Sequence, residues 1–134
     1  MKHRCAVLAD FHYNMLEGIR GLLEVMFDAV VMVADMDSLL EAAQKLKPDI
    51  VVLDLSLQAS GEVSVVKDFV HRFPGFSLVV LSVYDDPTVA TSIIASGASG
   101  FVLKRAAVTD LLPALEEVFK GNTFISPAAL RNIS

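Results

Sequence analysis

The chain has 134 residues, a formal net charge of −5 and a single cysteine. That length fits one domain whose core needs no covalent staple, and a lone Cys5 excludes an internal disulfide and a cysteine-based metal cluster. Acidity with scattered Lys and Arg makes this chain alone a poor nucleic-acid binder. The N-terminus has no signal-peptide apolar region and no apolar run could span a membrane, so the expected location is the cytoplasm.

The hydrophobic fraction is 54%, above the usual range, which points to strands covered on both faces. Ala6-Val7-Leu8-Ala9 is a short strand ending at Asp10. Met15, Leu16, Ile19, Leu22, Leu23 and Met26 then recur at helical spacing. Ala29 to Ala34 is a second, β-branched run. Asp35 or Asp37 caps the next helix, whose inner face carries Leu39, Leu40, Ala43 and Leu46 and which stops at Pro48. Ile50 to Leu53 is a third strand, ending at Asp54. After a turn at Gln58-Ala59-Ser60-Gly61, Val63, Val66, Phe69 and Val70 mark a third helix, broken at Pro74-Gly75. Leu78 to Leu81 is a fourth strand, and Asp85 or Asp86 caps a helix that opens on Pro87 and ends near Gly97. Gly100 to Leu103 is a fifth strand. Leu111, Leu112, Leu115, Val118 and Phe119 mark a last helix stopped by Gly121; Pro113 either kinks it or means that it starts near Thr109 or Asp110.

Strand and helix alternate five times, which predicts an α/β, doubly wound (βα)5 sandwich on a parallel sheet. In such sheets ligands gather beyond the carboxyl ends of the strands. Asp10, Asp54, Ser82 and Lys104 stand at four of those ends. In a five-stranded sheet of order 2-1-3-4-5, strands one and three are neighbours, so Asp10 and Asp54 face each other. Two close carboxylates repel unless a cation lies between them, and all-oxygen donors suit Mg²⁺. Lys104 adds a positive charge and Ser82 a hydroxyl donor, and together they outline a pocket for a phosphoryl group on a carboxylate. Each residue alone is commonly a cap, a turn or a surface charge; the joint pattern carries the reading.

Four segments in order make the sequence recognisable: Leu8-Ala9-Asp10-Phe11-His12 with Glu17-Gly18-Ile19-Arg20, Lys47 to Ser56, Val80 to Pro87, and Gly97 to Lys104. From about Arg4 to Pro127 the chain resembles response-regulator receiver domains, the CheY-like family of flavodoxin-like topology, and in particular receivers attached to LuxR/NarL-type helix-turn-helix regulators. The resemblance implies a receiver over residues 1–121 and, over 122–134, the start of a linker toward a C-terminal helix-turn-helix domain that is absent here. Asp54 would accept phosphate from a histidine kinase or a small phosphodonor and switch a transcription output. Lys104 would pair with the phosphoryl group, Ser82 would hydrogen-bond it, and Phe101 would be the aromatic that changes rotamer with Ser82. Mg²⁺ would be held by Asp10, Asp54 and the Ser56 backbone carbonyl. The chain would not be an enzyme beyond catalysing its own phosphorylation and dephosphorylation. It would form a homodimer, meet DNA only through the absent domain, and not touch membranes. Tyr84 and Phe101 are a candidate apolar patch beside the fourth helix.

The chain departs from the family at two places. Phe11 stands where receivers usually carry a second metal-binding Asp, and Gln58 replaces a usual Pro in a loop about one residue shorter. Losing a ligand predicts a weakened Mg²⁺ site. It also raises the alternative of an atypical receiver that works as a phosphate-independent dimerisation or protein-interaction module. Enzymes of related topology fit less well. Ser56 stands where an aspartyl phosphatase wants a second acid, and Phe11-His12-Tyr13-Asn14 lacks the Gly, Ser and Thr of a flavin-phosphate loop.

Overall fold

A computed structural model describes residues 3–10, 16–54 and 59–130. In chain order the elements are β1 (His3–Asp10), α1 (Leu16–Glu24), β2 (Phe27–Val33), α2 (Met36–Leu46), β3 (Ile50–Asp54), α3 (Ala59–Arg72), β4 (Leu78–Ser82), α4 (Pro87–Ala95), β5 (Gly100–Leu103), α5 (Ala107–Phe119) and β6 (Phe124–Ile125). All strand pairs are parallel and the sheet runs β2-β1-β3-β4-β5-β6.

Every residue of β3, β4 and β5 is buried, as is β1 from Cys5 on, so these strands are apolar on both faces. Side chains alternate across the pleat. Val7, Val51, Val80 and Phe101 join the core under α2, α3 and α4. Ala6, Val52, Val79 and Val102 join the core under α1 and α5. β2, at the edge, buries only Phe27 fully. Burial also pushes the Cys5 thiol pKa up, Arg4 pulling it down and Asp49 adding to the rise.

Helix ends follow local chemistry. Of the two candidate caps before α2, Asp35 is the one used: its side chain accepts the Ser38 amide at 2.7 Å. α2 closes on Lys47 at φ 47°, the left-handed position of a helix terminus, and Pro48 cannot continue it. Asp86 rather than Asp85 caps α4, accepting the Thr88 amide at 2.8 Å, with Pro87 in the first turn. Gly97 follows α4 at φ 115°, and an added Cβ would lie 2.7 Å from a Val70 methyl. Both the backbone conformation and the close packing of α3 require glycine there.

Of the two readings of Pro113, the structure keeps the proline inside the helix: a 3₁₀ turn at Lys104–Ala106 runs straight into α5 at Ala107, so the helix does not wait for Thr109 or Asp110, and Pro113 lies within it on its exposed side. The buried stripe Ala107, Leu111, Ala114, Leu115 and Val118 outweighs the lost Pro113 amide. One expectation needs correcting: among the described residues the sheet has six strands rather than five. Phe124 and Ile125 pair with Gly100 and Phe101, so the stretch after Gly121 is packed against β5. The fully buried Ser126 fastens it, donating to Asp110 Oδ2 at 2.8 Å and accepting the Leu103 amide at 3.0 Å.

Candidate phosphoryl-acceptor site

Asp10 and Asp54 are register partners at the ends of β1 and β3, and their exposures are 1% and 2%. Both are there because the strands are level: an apolar strand that ends on Asp places the carboxylate at the sheet rim, still covered by the neighbouring strands. Leu103 pairs with Ser82 at the end of β4, so Lys104 leaves the sheet at the same rim. Its Nζ lies 2.5 Å from Asp54 Oδ1, with 11% of the lysine side chain exposed. A close contact of two such buried charges is strong because little water screens it.

Ser82 is fully buried. Its hydroxyl donates to Glu62 Oε1 at 2.9 Å, and its Oγ accepts the Tyr84 amide at 3.1 Å. Asp10, Asp54, Ser82 and Lys104 therefore do gather at one rim, as the strand-end pattern implies. Phe11 and Ser56 lie outside the described residues. Phe101 is fully buried, paired in register with Val80 and Ile125. The expected surface patch of Tyr84 with Phe101 is therefore not formed, because the ring is core.

Glu62 escaped the sequence reading. The turn residues Gln58 to Gly61 delayed the expected helix to Val63, whereas α3 begins at Ala59 and puts Glu62 in its first turn. There it is fully buried. The available signal was spacing: four residues back from the inward Val66 is Glu62, on the face that also carries Phe69.

Among the described residues, three buried carboxylates and one ammonium thus stand along this rim. Such an excess of negative charge favours a bound cation or proton. Among the described residues no three His, Cys, Asp or Glu side chains form a ready metal cluster. Asp10 and Asp54 nevertheless fit a Mg²⁺ held by one or two carboxylates and otherwise by water. Among the described residues no helix is long and apolar enough to cross a membrane.

Comparison with known proteins agrees with this fold. The model of the response regulator receiver domain matches residues 6–116. The transcriptional regulatory protein DegU of Brevibacillus brevis is 30% identical over 129 residues, covering 95% of this chain and 55% of that protein. The oxygen regulatory protein NreC of Staphylococcus carnosus is 32% identical over 126 residues, covering 90% and 57%. This chain spans a little over half the length of those curated relatives. Among solved structures, a LuxR-family two-component response regulator from Aurantimonas sp. SI85-9A1 superposes with a TM-score of 0.85 at 26% identity, covering 99% of this chain and 96% of that one. The isolated REC domain of RcsB from Salmonella enterica serovar Typhimurium, in the presence of the phosphomimetic BeF3−, gives 0.82 at 28% identity and 98% coverage of both.

Proposed function

The chain belongs to the response-regulator receiver family, and on that premise we propose that it accepts a phosphoryl group on Asp54 from a histidine kinase. The observation that carries this is the Lys104 ammonium held against the Asp54 carboxylate, beside Asp10 and one strand from Ser82. In the transfer, an Asp54 oxygen attacks phosphorus, the new O–P bond forms, and the donor's P–O or P–N bond breaks with its electron pair. Lys104 would offset the charge that gathers on the transferred oxygens, and Ser82 would donate its hydroxyl to one of them. Mg²⁺ would be held by Asp10, Asp54 and the Ser56 carbonyl, and when bound it supplies further charge neutralisation. Receiver domains are not enzymes in the ordinary sense, and any catalysis here is confined to gaining and losing this group.

Phe11 supports a weakened metal site, since it carries no oxygen donor where the family has one. A LuxR/NarL-type output, a homodimer, DNA contact through a further domain and a cytoplasmic location fit the relatives and the net charge of −5. The receiver body is assigned to residues 1–121, with 122–134 leading toward that further domain even though β6 lies within them.

The test is intact mass after incubation with acetyl phosphate, with and without Mg²⁺. The expected result is a Mg²⁺-dependent gain of one phosphoryl group that is absent in Asp54→Asn and faster in Phe11→Asp. No gain in the native chain or in Phe11→Asp would refute the acceptor role.

A further inference from the structure

Among the described residues, Asp10, Asp54 and Glu62 are the fully buried acids, and Glu62 has no part in the transfer just described. Its carboxylate nonetheless holds the Ser82 hydroxyl at 2.9 Å. A hydroxyl has one hydrogen to donate. While that hydrogen points at Glu62, it is not available to an oxygen on a phosphorylated Asp54. The Tyr84 amide, 3.1 Å from Ser82 Oγ, takes up acceptor capacity on the same oxygen and fixes the serine from a second side.

Charge works in the same direction. Glu62 hangs from α3 and reaches the end of β4, the strand paired with β3. Asp10 lies on β1, on the other side of β3. Glu62 therefore stands on the Ser82 side of Asp54, where a phosphoryl group would need the hydroxyl. A phosphoryl group brings about −1.5 to −2 charges of its own. Two anions sharing one buried hydroxyl repel each other, with little water to screen them.

We propose that Glu62 is an internal competitor for the phosphoryl position: its carboxylate occupies Ser82 in the resting chain and must be displaced before phospho-Asp54 can use that hydroxyl. The device rests on the reading of Asp54 as the acceptor. It sets the resting chain against phosphorylation, and it ties arrival of the group to movement of the first turn of α3.

The experiment follows acetyl phosphate labelling by intact mass in Mg²⁺, over time, in native protein, Glu62→Ala, Glu62→Gln and Asp54→Asn. Folding of each is checked by circular dichroism. Losing one charge-assisted hydrogen bond and its repulsion predicts labelling roughly ten- to a hundredfold faster in Glu62→Ala. Glu62→Gln, which loses the charge but keeps an acceptor, should fall between, and it decides the matter if Glu62→Ala does not fold. Adding Ser82→Ala should remove most of the gain. Equal or slower labelling of the Glu62 variants, with Asp54→Asn silent, overturns the competitor and leaves the acceptor reading standing. No labelling of any variant overturns both.

Discussion

The contact between Lys104 and Asp54 makes a sharp energetic prediction. Replacing Lys104 by Met keeps much of the apolar stem and removes the ammonium 2.5 Å from Asp54 Oδ1. At an effective dielectric of about 20, two unit charges that close attract by roughly 6–7 kcal/mol. Desolvation of the nearly buried lysine cancels part of that. What remains in the variant is a 2% exposed carboxylate register-paired with Asp10, without its closest positive charge. Breaking a buried pair in this way costs about 3–5 kcal/mol, about a fifth or more of the stability of a typical domain. Urea unfolding at neutral pH should show the midpoint falling by about 1.5–2.5 M for an m-value near 2 kcal/mol/M. Asp54→Asn should cost less, because it also relieves repulsion among neighbouring acids. In the double variant the lysine is no longer missed, so a double-mutant cycle should give a coupling of about 2 kcal/mol or more. A Lys104→Met loss under about 1 kcal/mol, or a coupling below about 0.5 kcal/mol, would refute the view that this contact neutralises the site.

Gly97→Ala should destabilise by about 2 kcal/mol or more, since a positive φ and the Val70 methyl both oppose a Cβ. Gly75→Ala, at φ 91° with open space around it, should cost only about 1–2 kcal/mol; thermal melts that rank the two the other way would contradict the packing argument. The backbone and side chain of Ser38 hold the Asp35 carboxyl below its ordinary value of 3.8. The cap's contribution is therefore complete at neutral pH, begins to fade below that ordinary value, and is lost as pH falls through the depressed folded value. A carboxyl-carbon NMR titration of Asp35 with a midpoint at or above 3.8 would count against it.

Most of the fold was legible because parallel strands write themselves as uninterrupted apolar runs. Ile50 to Leu53 and Leu78 to Leu81 are such runs, and each is wholly buried in the sheet. The polar residue that ends each run was legible for the same reason: a buried strand stops at the first residue that must reach the rim. The sixth strand was not. Phe124-Ile125 is too short to show a period, and its place depends on Ser126 meeting Asp110 and Leu103, partners far away in sequence. Pro113 left the start of α5 open in the sequence, and it is decided by a buried stripe that counts only once β5 has delivered the chain at Lys104.

Glu62 was hidden for another reason, and that reason bears on the site. A glutamate after Ser60-Gly61 reads as a solvated residue in the first turn of a helix, which is where acids favour the helix dipole. Only the sheet shows that this turn lies over the rim between β3 and β4. Reading Glu62 as compensation for Phe11, an acid on α3 in place of one after Asp10, is tempting. Their places argue against it. Asp10 ends β1, on one side of Asp54, whereas Glu62 binds Ser82 at the end of β4, on the other. A carboxylate engaged at Ser82 does not restore the donor missing on the β1 side. On the proposed reading the two residues act on different steps: Phe11 on the affinity for the cation, Glu62 on the room left for the phosphoryl group. Phe11→Asp and Glu62→Ala should accordingly accelerate labelling by independent factors, and rates in the double variant that fall well short of the product of the two would show that both residues serve a single subsite.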